Sequence, residues 1–506
     1  MARRDVAVSG VLWGLGASIV VASSRAASAV AVQADDLLNL FVIDHDGSSP
    51  GRAAWARFWA QLEAWGTGET DHFSPLGSGL DIWIKRWMVE QPFGLSMHQT
   101  HHLAFLVAAL LSFVAATQLV RHALGVSASS CAVPVAIGWA ACAQVTTVWS
   151  TYDPLVVHPT YGVLVTAVGL WFLVAVQHVV ARPEHRRWRF AAAGLGVTGV
   201  ALYVGFTVFV VAALALVLWP TRALPRSERL RSQRIPLMWA LLPAAGLVLV
   251  TRVWSAMMSE SVYEGTSVQF GLSSITGTSS GTYSTLPMAN WGRARVAAEA
   301  SGVEFGLPSP WWLTGLLAAA AAWWWAYGRS ASTSPTTTMG VDDSRPSGAR
   351  SLAVCLVVVG IGSVSLFALT GLWGPYLSVP GNTYMGASST YWVCSAVLGI
   401  CLLRAAQRSG MWAGVALVAV ASLAVVQWSV NDAVVEVERR SPSPFGVDLV
   451  EFIDSGVPAD EPARCDALGG VPQAADLDRW YDRLNAVYAE RHGEPFCSSV
   501  PTPSGP

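Results

Sequence analysis

Charge is what this sequence most lacks. Only 13% of its 506 residues are Asp, Glu, Lys or Arg, against roughly 25% in a soluble domain, while 53% are hydrophobic. A chain that apolar cannot hide all its hydrocarbon in one water-facing core, which excludes a single soluble globular domain. Lysine is all but missing, with Lys85 the only one. Cysteine is sparse, and none of the seven has zinc-site spacing. Five of them (Cys131, Cys142, Cys355, Cys394, Cys401) lie in or beside apolar runs and read as small packing residues. Cys465 and Cys497 stand in the polar C-terminal stretch, where an oxidising compartment permits a disulfide. There is no internal repeat, and no nucleic-acid partner is expected.

What the chain has instead is long apolar runs. They recur at Val6–Ala27, Leu103–Val120, Cys131–Trp149, Val156–Val179, Phe190–Tyr203, Gly205–Trp219, Ile235–Val253, Trp311–Tyr327, Leu352–Leu372, Tyr391–Leu403 and Trp412–Val430. Most are long enough to cross about 30 Å of hydrocarbon as a helix. The expected fold class is an all-α polytopic membrane protein with about 11 transmembrane helices. The first run follows Arg3 and Arg4 and ends near Ala26-Ala27-Ser28-Ala29, as a signal peptide would. Its length exceeds the usual apolar region of about 7–15 residues and favours a retained helix.

Orientation follows from the basic residues. With the N-terminus inside, the inner segments hold 17 basic residues against five acidic ones, and the outer segments 14 against 28. The asymmetry requires Phe190–Trp219 to be two short helices turning near Tyr203-Val204-Gly205, because one long span would put the two richest arginine loops on opposite sides. Residues 1–430 then form the transmembrane domain, with extracytoplasmic loops at 28–102 and 254–310. Residues 431–506 form a small acidic tail outside. The Ala-, Val-, Arg- and Trp-rich composition with one lysine reads as a high-GC genome, and so as a bacterial cytoplasmic (inner) membrane.

Within the first loop, Ala53–Trp65 sets Trp55, Phe58, Trp59 and Leu62 on one helical face, the pattern of a helix lying in the membrane interface. The Gly-, Ser- and Thr-rich stretch Gly265–Thr285 reads as irregular and mobile, and Arg329–Arg350 as a disordered inner linker. The tail carries one helical pattern, Asp476–His492, with Trp480, Leu484, Val487 and Tyr488 facing inward. Of the 24 tryptophans, those near span ends (Trp149, Trp219, Trp254, Trp311, Trp312, Trp323 to Trp325, Trp428) suit an interfacial belt.

The sharpest constellation is the adjacent pair Asp35-Asp36, where the first helix leaves the membrane. A carboxylate held there is placed to take a proton from an attacking hydroxyl; the plainer reading is a solvated turn. Four histidines follow. His98, His101 and His102 share one helical face, and with His72 they offer a phosphate site, a proton relay or a metal site. The His98, His101 and His102 face has no clear carboxylate partner nearby in sequence, so a divalent metal is not indicated and no cofactor is implied. Lys85-Arg86 reads either as an anchor reaching lipid headgroups or as a phosphate grip. Arg252, at the outer end of its span, is a candidate for lipid phosphate, since charge at membrane depth is expensive. Arg293 and Arg295 are further partners from the second outer loop.

The order of these features resembles the GT-C superfamily of membrane glycosyltransferases, and most closely the protein O-mannosyltransferases and the membrane halves of the tetratricopeptide O-mannosyltransferases. An acidic pair after the first helix is followed here by Ser74-Pro75-Leu76, Pro92-Phe93-Gly94 and the His-rich entry His98-Gln99-Thr100-His101-His102. Val145–Leu155, which includes Asp153, resembles the family's third-helix exit, and Asn382–Ser388 stands where the family has a Glu-Arg-Tyr segment. The chain departs at three arginines of the family pattern, replaced by Ser74, Tyr152 or its neighbour, and Thr383. The resemblance implies an inverting transfer of sugar from a polyprenyl-phosphate donor to a hydroxyl on a glycan, lipid or protein acceptor outside the membrane. Asp35 or Asp36 would be the base, and His72, Lys85, Arg86, His98, His101, His102, Asp153 and Arg252 the substrate-binding residues. The lost arginines keep an alternative open, a non-catalytic GT-C-like scaffold or a transporter component for lipid-linked sugar. Span interiors nearly free of charge favour a site at the membrane edge over a transport path.

Overall fold

The computed structural model describes residues 2–30, 40, 48–150, 152–156, 159–219, 225–258, 268–328, 346–440, 449–457, 460–469 and 477–498. These residues are almost wholly helical. Seven helices are long and apolar enough to cross a membrane: Val6–Ser23, Met97–Leu124, Thr160–Ala181, Ser227–Met258, Ala349–Ala368, Ala387–Arg408 and Gly410–Arg440. Two shorter apolar helices, Ala128–Cys142 and Val204–Leu218, join them. By length and composition the architecture is that of a multi-pass membrane protein.

We number the elements α1 (Ala2–Ser23), α2 (Pro50–Thr67), α3 (Pro75–Glu90), α4 (Met97–Leu124) and α5 (Ala128–Cys142). There follow α6 (Thr160–Ala181), α7 (Arg186–Leu202), α8 (Val204–Leu218) and α9 (Ser227–Met258). Next come α10 (Leu272–Ser284), α11 (Trp291–Ala300), α12 (Pro310–Trp323), α13 (Pro346–Ala368) and α14 (Trp373–Ser378). The last are α15 (Ala387–Arg408), α16 (Gly410–Arg440), α17 (Leu449–Ser455), α18 (Glu461–Gly469) and α19 (Leu477–His492).

The centre is α5. Every residue from Ser129 to Cys142 is buried, as expected of a helix that is apolar or small all round, and it packs against α1, α4, α15 and α16. Gly138 lets α15 approach closely, since a Cβ there would sit 2.6 Å from the Ser395 carbonyl oxygen. Pro134 lacks the N–H that would bond the Ser130 carbonyl, and the Trp323 indole N–H takes that carbonyl instead at 2.8 Å. Trp139 and Trp392 stack between α5 and α15 with centroids 4.1 Å apart. Trp323 and Trp428, expected in an interfacial belt, are therefore placed differently: they are 0% and 6% exposed. Trp311 does stand out, at 83%.

Two further expectations change. The run Cys131–Trp149 leaves its helix at Cys142, because the Asn431 side chain of α16 bonds Ala143 O (2.9 Å) and Val145 N (3.1 Å) and holds the strand-like exit. The stretch read as irregular around Gly265–Thr285 folds, over its described part, as α10 packed on α13 and α14. Arg329–Arg345 lies outside the described residues. The expected break in Phe190–Trp219 is present: Tyr203 is extended, φ −168° and ψ 147°, between α7 and α8. Helix α2 covers the amphipathic Ala53–Trp65 with Trp55 and Trp59 exposed.

Helix α16 continues ten residues beyond Val430, to Arg440. After it, α17 to α19 fold onto the α3–α4 corner: Met88 and Met97 share a core with Val450, Ile453, Leu484, Val487 and Tyr488. Asp454 accepts from Gln91 Nε2 and from Met97 N, both at 2.9 Å, and pairs with Arg491 at 2.7 Å. It thereby satisfies an open N–H in the first turn of α4, which also carries a capping box of Ser96 and Gln99. Cys465 and Cys497 form a disulfide across this tail, with Cα atoms 5.4 Å apart.

Candidate functional site

A cleft forms where the C-terminal end of α9 meets the α2–α3 connection and the α7–α8 break. Asp71, His72 and Arg252 line it with Thr207, Thr251 and Ser255. Its floor is fixed by aromatic and polar groups far apart in sequence. The Ser255 hydroxyl donates to Asp71 O (3.1 Å) and accepts from the Trp65 indole (3.0 Å). Trp254 N–H reaches Trp65 O at 3.2 Å, and Trp65 meets Phe73 edge-on at 4.8 Å. Gln61 Nε2 holds the His72 carbonyl at 2.8 Å. Gly68 ends α2 in the left-handed region (φ 84°), where a Cβ would strike Met258 O at 2.1 Å. The chain can therefore turn back onto α9 only with glycine at this position.

His72 Nε2 lies 3.9 Å from Asp71 Oδ1. Burial pulls the His72 pKa below its ordinary value; Asp71 raises it and Arg252 lowers it further. The imidazole is neutral at pH 7 and can accept or pass a proton. A histidine with a lowered native pKa contributes stability that is complete above its unfolded value of about 6.5 and is lost as pH falls through the native value. Between pH 7 and pH 5 a His72→Gln variant is therefore expected to lose less thermal stability than the wild type; equal losses would show that His72 does not titrate as its surroundings dictate.

Asp71 was not anticipated from the sequence. The only signal for it was its place beside His72 in a short polar run. Of the expected substrate-binding residues, His72 and Arg252 meet in this cleft. The others are placed elsewhere. Lys85 does not reach outward as an anchor: it is 2% exposed and pairs with Asp81 at 2.5 Å, one turn back on α3. Arg86, also 2% exposed, pairs with Glu90 at 2.7 Å and bonds Ser48 O. His98 bonds the Ser28 carbonyl at the exit of α1, His101 is buried, and His102 lies over Phe105 with centroids 5.8 Å apart. Asp35 and Asp36 lie outside the described residues. Among the described residues, the one group of three metal-type ligands in mutual reach is Glu461, Cys465 and Cys497, and its two sulfurs are already bonded to each other.

Asp153 is fully buried. Its carboxylate accepts from Thr146 N, Thr146 Oγ1 (3.1 Å) and Leu155 N (2.8 Å). Burial pushes its pKa up to about 6, against the pull of those donors. It contacts no solvent, and both of its oxygens are engaged within its own loop. The same knot joins two distant segments singled out in the sequence. Thr146 meets Thr383 hydroxyl to hydroxyl at 3.0 Å, and Ser150 bonds Thr383 O (3.3 Å) and Tyr376 OH (3.0 Å). Around it, Tyr152, Trp373 and Tyr384 cluster, Trp373 stacking on Tyr384 at 4.0 Å. The aromatic run continues through Phe367 to Tyr203 and Tyr161. Tyr203 sits at the α7–α8 break, and Val204 beside it lines the cleft.

No protein-family model, curated protein or solved structure matches the chain. Its function must be argued from the site.

Proposed function

We propose that the protein is a glycosyltransferase of GT-C type in the bacterial cytoplasmic membrane, crossing it eleven times with the N-terminus inside and the C-terminus outside. It takes sugar from a polyprenyl-phosphate donor and passes it to a hydroxyl on the outer side. The observation that carries this reading is the meeting of Asp71, His72 and Arg252 in one cleft at the end of a membrane-length helix. Arg252 offers a planar, permanently charged fork for a phosphate at the bilayer edge, and α9 exposes Leu249, Val250, Val253 and Met257 beside it, a surface that suits a prenyl chain. The aromatic run from Tyr203 supplies faces for a sugar ring.

The reaction is a single displacement with inversion. The acceptor oxygen attacks the anomeric carbon, the bond from that carbon to the phosphate oxygen breaks, and polyprenyl phosphate leaves with the electron pair while Arg252 offsets its growing charge. A carboxylate takes the hydroxyl proton. Asp71 stands in the cleft for this task; Asp35 or Asp36 is the base that the family resemblance implies. The test is purified protein offered a panel of polyprenyl-phosphate sugars, with release of free polyprenyl phosphate as readout. Asp71→Asn, Asp35→Asn and Asp36→Asn are run alongside. Release that disappears in one variant identifies enzyme and base together. A donor that binds and stays intact removes the transferase reading.

The second reading, a non-catalytic scaffold or transport component for lipid-linked sugar, is favoured by one observation. Lys85 and Asp153, two groups expected to touch substrate, are bonded inside the protein.

A further inference from the structure

Helix α10 is turned the wrong way for water. Its buried positions are Ser274, Gly277, Gly281 and Ser284, while Leu272, Ile275 and Tyr283 are exposed. A helix at a water-facing surface does the reverse and buries its large apolar side chains. The exposed face continues into the chain before α10, where Phe270 is 85% exposed, and to Leu372 and Val379 at the two ends of α14, which packs on α10. No Asp, Glu, Lys or Arg occurs from Gly265 to Gly292, whereas roughly 25–35% of a water-facing surface is charged.

Depth follows from what α10 touches. Its small face lies on α13: a Cβ on Gly277 would meet Ala368, and one on Gly281 would meet Val364. Ala368 ends the membrane-length stretch Ala349–Ala368. At 1.5 Å per residue these contacts fall about 22–28 Å along that stretch, so α10 lies beside the last turns of the span and not beyond them. Deeper on α13, Val357 and Ile361 are exposed, and no charged residue occurs from Ser351 to Leu403. Exposed hydrocarbon therefore passes from the span to the loop with no charged band between. Hydroxyls along the edge are closed internally. Thr276 donates to Leu272 O at 3.0 Å, Ser274 to Gln269 O at 2.6 Å and Ser378 to Gly374 O at 2.8 Å, and Thr276 and Ser378 meet at 2.8 Å. Hydrocarbon accepts no hydrogen bond, so an embedded surface needs such closure.

We propose that α10 and α14 lie in the leaflet at the Ala368 end of α13, with their exposed face against acyl chains. Under the topology proposed above this is the outer leaflet. Helix α14 also supplies Tyr376 to Ser150 in the Thr383 knot, so the embedded surface sets the depth of that knot. The inference needs the multi-pass architecture alone and is independent of the transferase reading.

The experiment is power-saturation EPR on full-length protein in nanodiscs of phosphatidylglycerol and phosphatidylethanolamine. Nitroxides are placed on Phe270→Cys, Ile275→Cys and Glu299→Cys, with the unsubstituted chain labelled in parallel as the blank for native thiols. All three positions are exposed, so no label displaces a packed side chain. Glu299 is the water reference, because α11 packs on Ala433 and Val437, about 35–40 Å along α16 and outside a hydrocarbon layer of about 30 Å. Molecular oxygen concentrates in hydrocarbon and a nickel chelate in water. Oxygen is expected to relax the labels at 270 and 275 more than the chelate does, with the order reversed at 299. Chelate ahead of oxygen at either 270 or 275 puts the face in water and overturns the proposal. Weak relaxation by both probes there shows a protein surface, a second copy or another chain, covering the helix, and overturns it as well.

Discussion

Arg252→Ala is expected to lower kcat/KM for a polyprenyl-phosphate sugar by about 10²–10³-fold, the effect of removing one preorganised charge partner from a developing oxyanion. Arg252 lies in the last turns of α9, whose neighbouring side chains are exposed hydrocarbon, and it lines one cleft with Asp71 and His72. A guanidinium is costly there unless it has a use. If it grips the phosphate in ground and transition state alike, KM rises and kcat holds; if it acts on the leaving group, kcat falls too. Arg252→Lys keeps the charge and loses the fork, so it should recover only part of the activity. A variant within threefold of wild type would show that the phosphate is held elsewhere, and the cleft would lose its assignment.

The helices were legible in the sequence because apolar run length is a local property. Each apolar run coincides with a helix for most of its length, and Tyr203 breaks the chain where the arginine distribution required a break. Where reading failed, the deciding contact was distant. Residues 143–150 are apolar enough to continue α5, but Asn431 captures the backbone of Ala143 and Val145 from across the fold. The segment of α10 looked irregular because glycine, serine and threonine favour turns in isolation. Packed against other helices, the same small residues allow close approach: a Cβ on Gly277 would come within 2.6 Å of Gly374 O, and one on Gly281 within 2.8 Å of Val364. For the site, His72 and Arg252 could be named singly, but nothing in the sequence says that they meet, or that Asp71 joins them. Thr146 and Thr383 are the same case, 237 residues apart and in direct contact.

Lys85 gives the largest stability effect expected in this protein. The residue is 2% exposed, and its ammonium pairs with Asp81, whose other oxygen accepts from Thr160 at 3.4 Å. Removing one partner of a buried ion pair leaves the other charge in a poorly solvated place, at a cost of ~3–5 kcal/mol. Asp81→Asn should therefore lower the thermal midpoint strongly, and Lys85→Met should do likewise by stranding the carboxylate. The double variant Asp81→Asn, Lys85→Met strands nothing and should recover most of the loss, because an intact buried pair is itself worth little over an apolar replacement of similar volume. The cycle is read from thermal unfolding in one detergent at one pH. Additive losses would mean that the two residues do not act as a pair. The loss of donor turnover, followed in the same variants, separates two roles: if the double variant regains stability and stays inactive, Lys85 or Asp81 is needed at the site as well as in the fold. If activity returns with stability, the pair only holds α3 against α6, and the cleft of Asp71, His72 and Arg252 carries the function without it.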